Sequence, residues 1–582
     1  MIQTVSLAMI VRDEAADLAN CLNSIRSEVD EIVIVDTGSS DQTLQIAENY
    51  TDKIYCYEWN GDFSAARNFA ISKCIGQWIL YLDADEKLDS QNGSIRQLIN
   101  NNTDAEVFCL PLLTCSGAEY ERFTVVRLFR NTPEYRFTGK IHEQVVVTKP
   151  SVVDVAAAPV IWHKFVTHKT RSKKRCRNLK LLKQALSSEP DNCFLKYYIG
   201  VEWLGLGRYE KALGYFQEAV ARISQDRPMF RGPAVRFLVD CLKFLGRLDD
   251  AFKVCQNECE LNPDYTDIFF DAGAILEEKG DFNKAIDYFH KAIQLGEPPL
   301  LFYHSKGTES FLAFYHLGFC YEKIGRYELA EKYYWQALST NPDYGCPLYS
   351  LFLLKVTNSK PTDIFSYFKN NNSFVHDEWA ETLAKLFFDV GFPELAAQCY
   401  EQSLTLGADK RVNRIKSLLY SGCVQEALNC INGIERAEMT ADITIEEIVA
   451  HILNTDYRSA KQRALELWIN SPDQRSKAWA LLTIIARSNS GTGYTRPEKP
   501  REPEVIQTCL SIIENCLRFT PKRSGTTINV PAFKKLTKTI TDILTESSAE
   551  SNLGLIEYIQ CKGQAVRSML DYKYPSARGL YL

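Results

Sequence analysis

The sequence predicts an α/β domain at the N-terminus followed by an all-α solenoid. Over the first 90 residues, apolar runs with strand preference alternate with helix-spaced segments. The fourth run, Trp78-Ile79-Leu80-Tyr81-Leu82, has no polar alternation and stops in Asp83-Ala84-Asp85-Glu86. A central strand of a parallel sheet, buried on both faces, reads this way, and ligands bind at its carboxyl end. From position 207 onward a Gly-x-x-x-x-Ala pattern recurs between helical segments, as it does where helix pairs stack on one another.

In chain order, Val5 to Val11 is a strand ending in Arg12-Asp13-Glu14. Leu18, Cys21, Leu22, Ile25 and Val29 then fall at helical spacing on one apolar face. Ile32 to Val35 is a second buried strand, closed by Asp36-Thr37-Gly38-Ser39-Ser40-Asp41, in which Asp41 caps a helix from Gln42. Lys53 to Trp59 reads as the third strand, Ser64 to Cys74 as a helix and Trp78 to Leu82 as the fourth strand. Repeated βαβ units make a parallel sheet with right-handed crossovers. Three strand ends therefore bring Glu14, Asp36, Asp83 and Asp85 to one cleft. If the backbone stays extended, Asp83 and Asp85 project to the same side. Two hard oxygen ligands there suit a divalent cation that also binds a diphosphate. A polar strand end running into an acidic helix start is the competing reading.

At 582 residues, 45% hydrophobic and 24% charged, the chain is ordinary globular material with room for more than one domain. A net charge of −6 gives no sign of a nucleic-acid surface. No apolar run approaches the roughly 20 residues of a membrane span, and Met1-Ile2-Gln3 leads into a strand without a basic signal region. The 18 cysteines are scattered with no Cys-x-x-Cys. Buried free thiols in a reducing cytoplasm explain them better than disulfides or zinc. A cytoplasmic protein is expected.

Four motifs occur in order: Met9-Ile10-Val11-Arg12-Asp13-Glu14, Val35-Asp36-Thr37-Gly38-Ser39-Ser40-Asp41, Phe63-Ser64-Ala65-Ala66-Arg67-Asn68 and Leu82-Asp83-Ala84-Asp85-Glu86. Together they resemble family-2 glycosyltransferases of the Rossmann-like GT-A fold, over roughly the first 165 residues. Asp13 departs from that pattern, where a neutral residue is expected. The resemblance implies a nucleotide-sugar donor with UDP as its nucleotide and a divalent metal, Mn²⁺ or Mg²⁺. Donor binding then falls to Glu14, Asp36 (the base), Arg67 (nucleotide or phosphates) and Asp83 (the ribose), and Asp85 holds the metal. An arginine fork suits phosphate oxygens, and a metal neutralises a leaving diphosphate.

From Ala105 the alternation breaks. Glu106 to Cys115, Phe123 to Arg130 and Val145 to Lys149 look like strands without helices between them. The crowded polar loop from Arg127 to Gln144 is a poor core and a good site. Inverting transfer needs a base for the acceptor's proton. Glu143 and His142 are the candidates, with Glu143 preferred, and simple loop-holding hydrogen bonds are the alternative. Three of the eight histidines lie between 142 and 168. In GT-A enzymes a histidine from this part of the chain often completes the metal site, so His163 is the candidate second ligand; a packed structural imidazole beside Trp162 is the alternative. The basic stretch from Lys164 to Lys183 reads as phosphate-attracting or as a solvated helix face.

The Gly-x-x-x-x-Ala segments at Gly207–Ala212, Gly246–Ala251, Gly280–Ala285 and Gly325–Ala330, with weaker copies at Gly391 and Gly422, resemble tetratricopeptide repeats. Only the step from Gly246 to Gly280 keeps the period of about 34 residues. Inserted loops, notably Pro298 to Ser310 and Thr357 to Phe374, stretch the others. The expected layout is a transferase domain over 1–168, a helical connector over 169–192, repeats over 193–440 and a C-terminal helical region, a candidate cap, over 441–582. The repeats read as a recruiter of a protein or peptide acceptor or as an assembly surface, for instance for a homodimer. Two further readings compete with the first: a scaffold carrying a degenerate transferase fold, and a transferase acting on a saccharide.

Overall fold

The computed structural model describes residues 3–101, 104–116, 119–147, 152–164, 168–356, 359–402, 408–435, 438–489, 508–512 and 530–545. The chain forms two compact units, one up to Asn341 and one from Pro342.

The first unit opens with β1 (Val5–Val11), α1 (Leu18–Ile25), β2 (Glu31–Asp36), α2 (Thr43–Ala47), β3 (Ile54–Cys56), α3 (Phe63–Ser72), β4 (Trp78–Leu80), β5 (Glu86–Asp89) and α4 (Ile95–Asn101). Then come β6 (Val107–Ser116), β7 (Glu119–Arg130), β8 (Phe137–Thr138), β9 (Gln144–Val145), β10 (Val153–Val155) and β11 (Val160–His163). The main sheet runs β3-β2-β1-β4-β7-β6-β11-β5. Its first four strands are parallel, with Ala8 opposite Val33 and Leu7 opposite Leu80. β7 joins β4 antiparallel and begins the mixed half.

The lack of polar alternation in β1 has a direct cause. Val5, Leu7, Met9 and Val11 pack with Leu18, Cys21, Leu22 and Ile25 of α1 on one face. Ala8 and the partly buried Ile10 pack with Ala70 and Ile71 of α3 on the other, so both faces are covered. Asp62 caps α3 by accepting from the Ala65 N–H at 3.0 Å. Two expectations shift. β4 ends at Leu80 rather than Leu82, and the extended run expected through Asp83 and Asp85 is broken by a turn before Glu86 opens a further strand, β5. Of the strand expected from Val145 to Lys149, the structure forms β9, and residues 148–149 lie outside the described residues.

Helices follow: α5 (His168–Ser188), α6 (Cys193–Gly205), α7 (Tyr209–Val220), α8 (Pro228–Phe244), α9 (Leu248–Leu261), α10 (Thr266–Glu278) and α11 (Phe282–Leu295), then a short strand β12 (His304–Ser305), α12 (Phe311–Lys323) and α13 (Tyr327–Thr340). The pair α6–α7 and its successors are built alike. Gly200, Gly273 and Gly318 lie so close to Phe216, Phe289 and Tyr334 of the following helix that an added Cβ would sit 2.6–2.8 Å from a ring atom. Ala212, Ala251, Ala285 and Ala330 are fully buried. Gly246, between α8 and α9, takes φ +71, the left-handed cap that glycine tolerates.

The loop expected as a mere insertion after Pro298 does more. It supplies β12, which adds to the edge of β7 with His304 opposite Arg122. Arg122 bonds the Pro298 carbonyl at 3.1 Å and Phe123 packs on Tyr303 with ring centroids 4.7 Å apart. The repeats thus finish the sheet of the α/β part.

The second unit continues with helix pairs. Asp377–Asp389 pairs with Pro393–Gln402, and Ala408–Tyr420 with Val424–Asn432, around buried Ala396 and Ala427. The Gly/Pro-rich segment from Ser488 to Pro503 lies outside the described residues from 490 onward, as does the apolar run at 553–559. None of the described helices is long and apolar enough to cross a membrane.

Candidate active site

The carboxyl ends of β1, β2 and β4 meet at one edge of the sheet. After β1 the chain turns through Asp13 at φ 55, a left-handed position that short polar residues accept. Asp13 Oδ1 accepts from the Ser40 N–H at 2.7 Å and the Ser40 hydroxyl at 3.0 Å. The unexpected aspartate therefore ties the first loop to the one after β2. Asp36 is buried and turned into its own loop, accepting from the N–H groups of Gly38 at 3.0 Å and Ser39 at 3.1 Å and from the Ser39 hydroxyl.

Asp83 to Asp85 do not lie on an extended strand. They form a tight turn in which the Glu86 N–H donates to the Asp83 carbonyl at 3.0 Å and the Asp83 N–H to Glu86 Oε2 at 2.9 Å. Beneath the turn runs a buried charge network. Arg67, from α3, donates through Nη2 to Asp83 Oδ1 at 2.7 Å and through Nε to Glu143. Its Nη1 is buried without a partner among the described residues. Arg127, from β7, donates to Glu86 and sits 4.5 Å from the Tyr81 ring centre. Burial pushes the Asp83 carboxyl up, but the guanidiniums of Arg67 and Arg127 outweigh it and hold it down at about 2. For Glu86 burial wins over Arg127 and lifts the carboxyl to about 7. Arg127 and Glu86 fall in segments that the sequence marks, yet neither carries a role there. The available signal was a lone arginine within the apolar run Val125-Val126-Arg127-Leu128-Phe129.

The ladder between β11 and β5 sets His163 opposite Glu86, which brings its imidazole beside Asp85, Nε2 to Oδ2 3.5 Å. The hydrogen bond to Asp85 raises the His163 pKa against the opposing effect of burial. The Glu14 carboxyl is lifted to about 7, first by burial and then by repulsion from Asp85. This donor set fits a divalent cation. Asp85 and His163 offer a carboxylate oxygen and an imidazole nitrogen 3.5 Å apart, donors that together would hold one ion. Two protein ligands suit Mg²⁺ or Mn²⁺ that takes its remaining oxygens from substrate phosphates and water. A second acidic group, Glu297, His304 and Glu309, has ligand atoms within 4.8 Å of one another. It lies in the loop that bears β12, and the Lys306 ammonium already sits in it, 2.8 Å from Glu297 and 3.4 Å from Glu309.

The two candidate bases face different ways. Glu143 is buried against Arg67 through Oε1, and its Oε2 has no partner among the described residues. His142, at φ 51, stacks flat on Tyr198 of α6, centroids 3.9 Å apart and planes within 3°. Its Nε2 lies 3.7 Å from Glu202. Ion pairs thus join Arg67 with Asp83 and Glu143, and Asp85 with His163; the Glu14 carboxyl feels the charge of Asp85, Asp36 shapes one wall, and His142 turns toward the repeats. Of the basic stretch, Arg175 and Asn178 on α5 bond Glu202 at 3.1 and 2.8 Å, so part of it is structural.

Residues 6–158 match the model of glycosyl transferase family 2, and residues 266–295 and 311–344 match tetratricopeptide repeat models. A TPR repeat-containing protein of Synechococcus elongatus is 42% identical over 141 residues, 24% of this chain and 35% of that protein. The SPbeta prophage-derived glycosyltransferase SunS of Bacillus subtilis is 29% identical over 231 residues, 37% of this chain and 53% of that one. The chain thus spans about a third to a half of the length of these curated relatives. Among solved structures, YrrB, described as a TPR protein with an unusual peptide-binding site, aligns at TM-score 0.26 and 21% identity over 31% of this chain and 85% of its own.

Proposed function

We propose that this chain, a family-2 glycosyltransferase domain joined to tetratricopeptide repeats, moves a sugar from a nucleoside-diphosphate sugar, UDP being the nucleotide, to a protein or peptide acceptor with inversion at the anomeric carbon. The observation that carries this reading is the convergence of Arg67 from α3, Asp83 and Asp85 from the acidic turn, His163 from β11 and Glu143 from the loop before β9 on one cleft.

Each side chain has work suited to its surroundings. The Asp36–Ser39 loop flanks the base. Asp83, with 39% of its side chain exposed, keeps an oxygen for ribose hydroxyls while Arg67 holds the other. The unpartnered Nη1 of Arg67 is the group that takes a phosphate oxygen. Asp85 and His163 would hold the divalent metal, which when bound neutralises charge on the departing diphosphate. Glu143 Oε2 takes the proton of the acceptor as it attacks C1 from the face opposite the leaving group, so an α-linked donor yields a β-linked product. The repeats recruit the acceptor along a concave face.

Calorimetric titration of UDP with and without Mn²⁺ tests the cleft. Wild type is expected to bind more tightly with Mn²⁺ and Asp85→Ala to lose that gain; equal affinities in both proteins under both conditions refute the metal assignment. Mass spectrometry of cell-extract proteins after incubation with a panel of nucleotide sugars identifies donor and acceptor together.

A further inference from the structure

The loop carrying Glu143 is held from two sides, and one of those sides lies outside the transferase domain. On the domain side, the Phe63 N–H at the start of α3 donates to the Lys140 carbonyl at 3.0 Å, and the Ser64 hydroxyl donates to the Gly139 carbonyl. On the other side stands α6, the first helix of the repeats. His142 stacks on Tyr198, and Gln144 Nε2 donates to the Tyr198 hydroxyl at 3.3 Å. Ile141 is buried in a cluster with Leu179, Leu182 and Ile199. Glu202, which faces His142 Nε2, is itself fixed by Arg175 and Asn178 of α5.

His142 also holds a positive φ of 51°. A non-glycine residue keeps such a backbone only where its surroundings impose it. Here the stack and the Glu202 carboxylate impose it on the residue directly before Glu143. The left-handed turn sends successive side chains opposite ways, His142 to α6 and Glu143 to Arg67.

We infer that Tyr198 and Glu202 are positioning residues of the active centre: the first repeat helix clamps His142 and thereby sets where Glu143 meets the acceptor. This rests on the assignment of Glu143 as base. It gives the repeats a role in turnover separate from acceptor recruitment, and it makes the residue range 6–158 an incomplete catalytic unit. A misplacement of about 1 Å costs on the order of 10²-fold in rate, and loss of the clamp displaces the base, not the donor.

The test uses the full chain with Tyr198→Ala, Tyr198→Phe and Glu202→Gln. One readout is UDP release from UDP-glucose and UDP-N-acetylglucosamine at saturating donor. The others are the Kd of UDP with Mn²⁺ and amide hydrogen exchange across residues 139–147. Tyr198→Ala is expected to lower turnover about 10- to 100-fold, to leave the Kd within about threefold, and to speed exchange in 139–147. Tyr198→Phe, which keeps the stacked ring, stays near wild type, and Glu202→Gln falls between them. Unchanged exchange in 139–147, wild-type turnover by Tyr198→Ala, or an equal loss in Tyr198→Phe overturns the inference. Should wild type release no UDP from either donor, the proposed activity fails on that count, while the exchange measurement still decides the clamp.

Discussion

Replacing Glu143 by glutamine separates three roles its surroundings allow. The carboxylate is nine-tenths buried and gives Oε1 to Arg67, whose Nη2 holds Asp83. Glutamine keeps an acceptor oxygen for Arg67 but loses the charge. A hydrogen bond to a charged group contributes about 1.5–3 kcal/mol, and the bond from Arg67 stays of that kind because the guanidinium keeps its charge. What the variant loses is the ion-pair attraction, so stability should fall, read as a lower Tm. Asp83 remains on Arg67, so the donor site stays formed and the Kd for UDP with Mn²⁺ should move by less than about threefold. With Glu143 as the proposed base, the chemical step should fall by about 10²- to 10⁴-fold. Single-turnover kinetics at saturating donor, beside calorimetry, read the two effects apart. The loss should be smaller with a thiol acceptor, which ionises more readily than a hydroxyl. Normal turnover in Glu143→Gln with a dead His142→Ala makes His142 the base and refutes the assignment. A large loss of UDP affinity with normal turnover makes Glu143 a support for Arg67 alone.

Two further predictions concern the frame that carries the site. Gly273→Ala puts a Cβ 2.8 Å from the Phe289 ring and should cost about 1–3 kcal/mol by overpacking, a loss that Phe289→Leu in the same chain partly relieves; strictly additive Tm changes would show that the two positions do not press on each other. Asp240 on α8 is raised to about 6, first by burial, with Lys243 opposing and Asp271 adding repulsion. Because its folded pKa lies above its unfolded value, stability falls as pH climbs from about 4 to about 6. Asp240→Asn should therefore be stabilising by about 3 kcal/mol at pH 7 and near neutral below pH 4, and a pH-independent change in Tm contradicts the burial argument.

Local pattern was enough to read the strand–helix alternation of the first 90 residues, because a strand covered on both faces must be apolar throughout and α1 must show one apolar face. It was enough for the helix pairs too, since the glycine that ends one helix and the buried alanine of the next recur at fixed offsets. The grouping of acids at one sheet edge followed from parallel topology, and the neighbourhood of Asp85 and His163 from the resemblance that named them both. The turn at Asp83–Asp85 did not follow. It depends on Glu86 reaching back to the Asp83 N–H and on Arg127 arriving from a strand 41 positions later. Nor did the orientations of His142 and Glu143, adjacent in sequence and identical in their claim to be the base. Those were settled by a positive φ and by a tyrosine 56 positions further along the chain. β12 is the clearest case: two residues with no strand signal of their own pair with β7 because folding of the repeats delivers them to an open sheet edge. Periodicity records what a segment buries along its own length, whereas long-range pairing depends on which surfaces meet once the chain has folded.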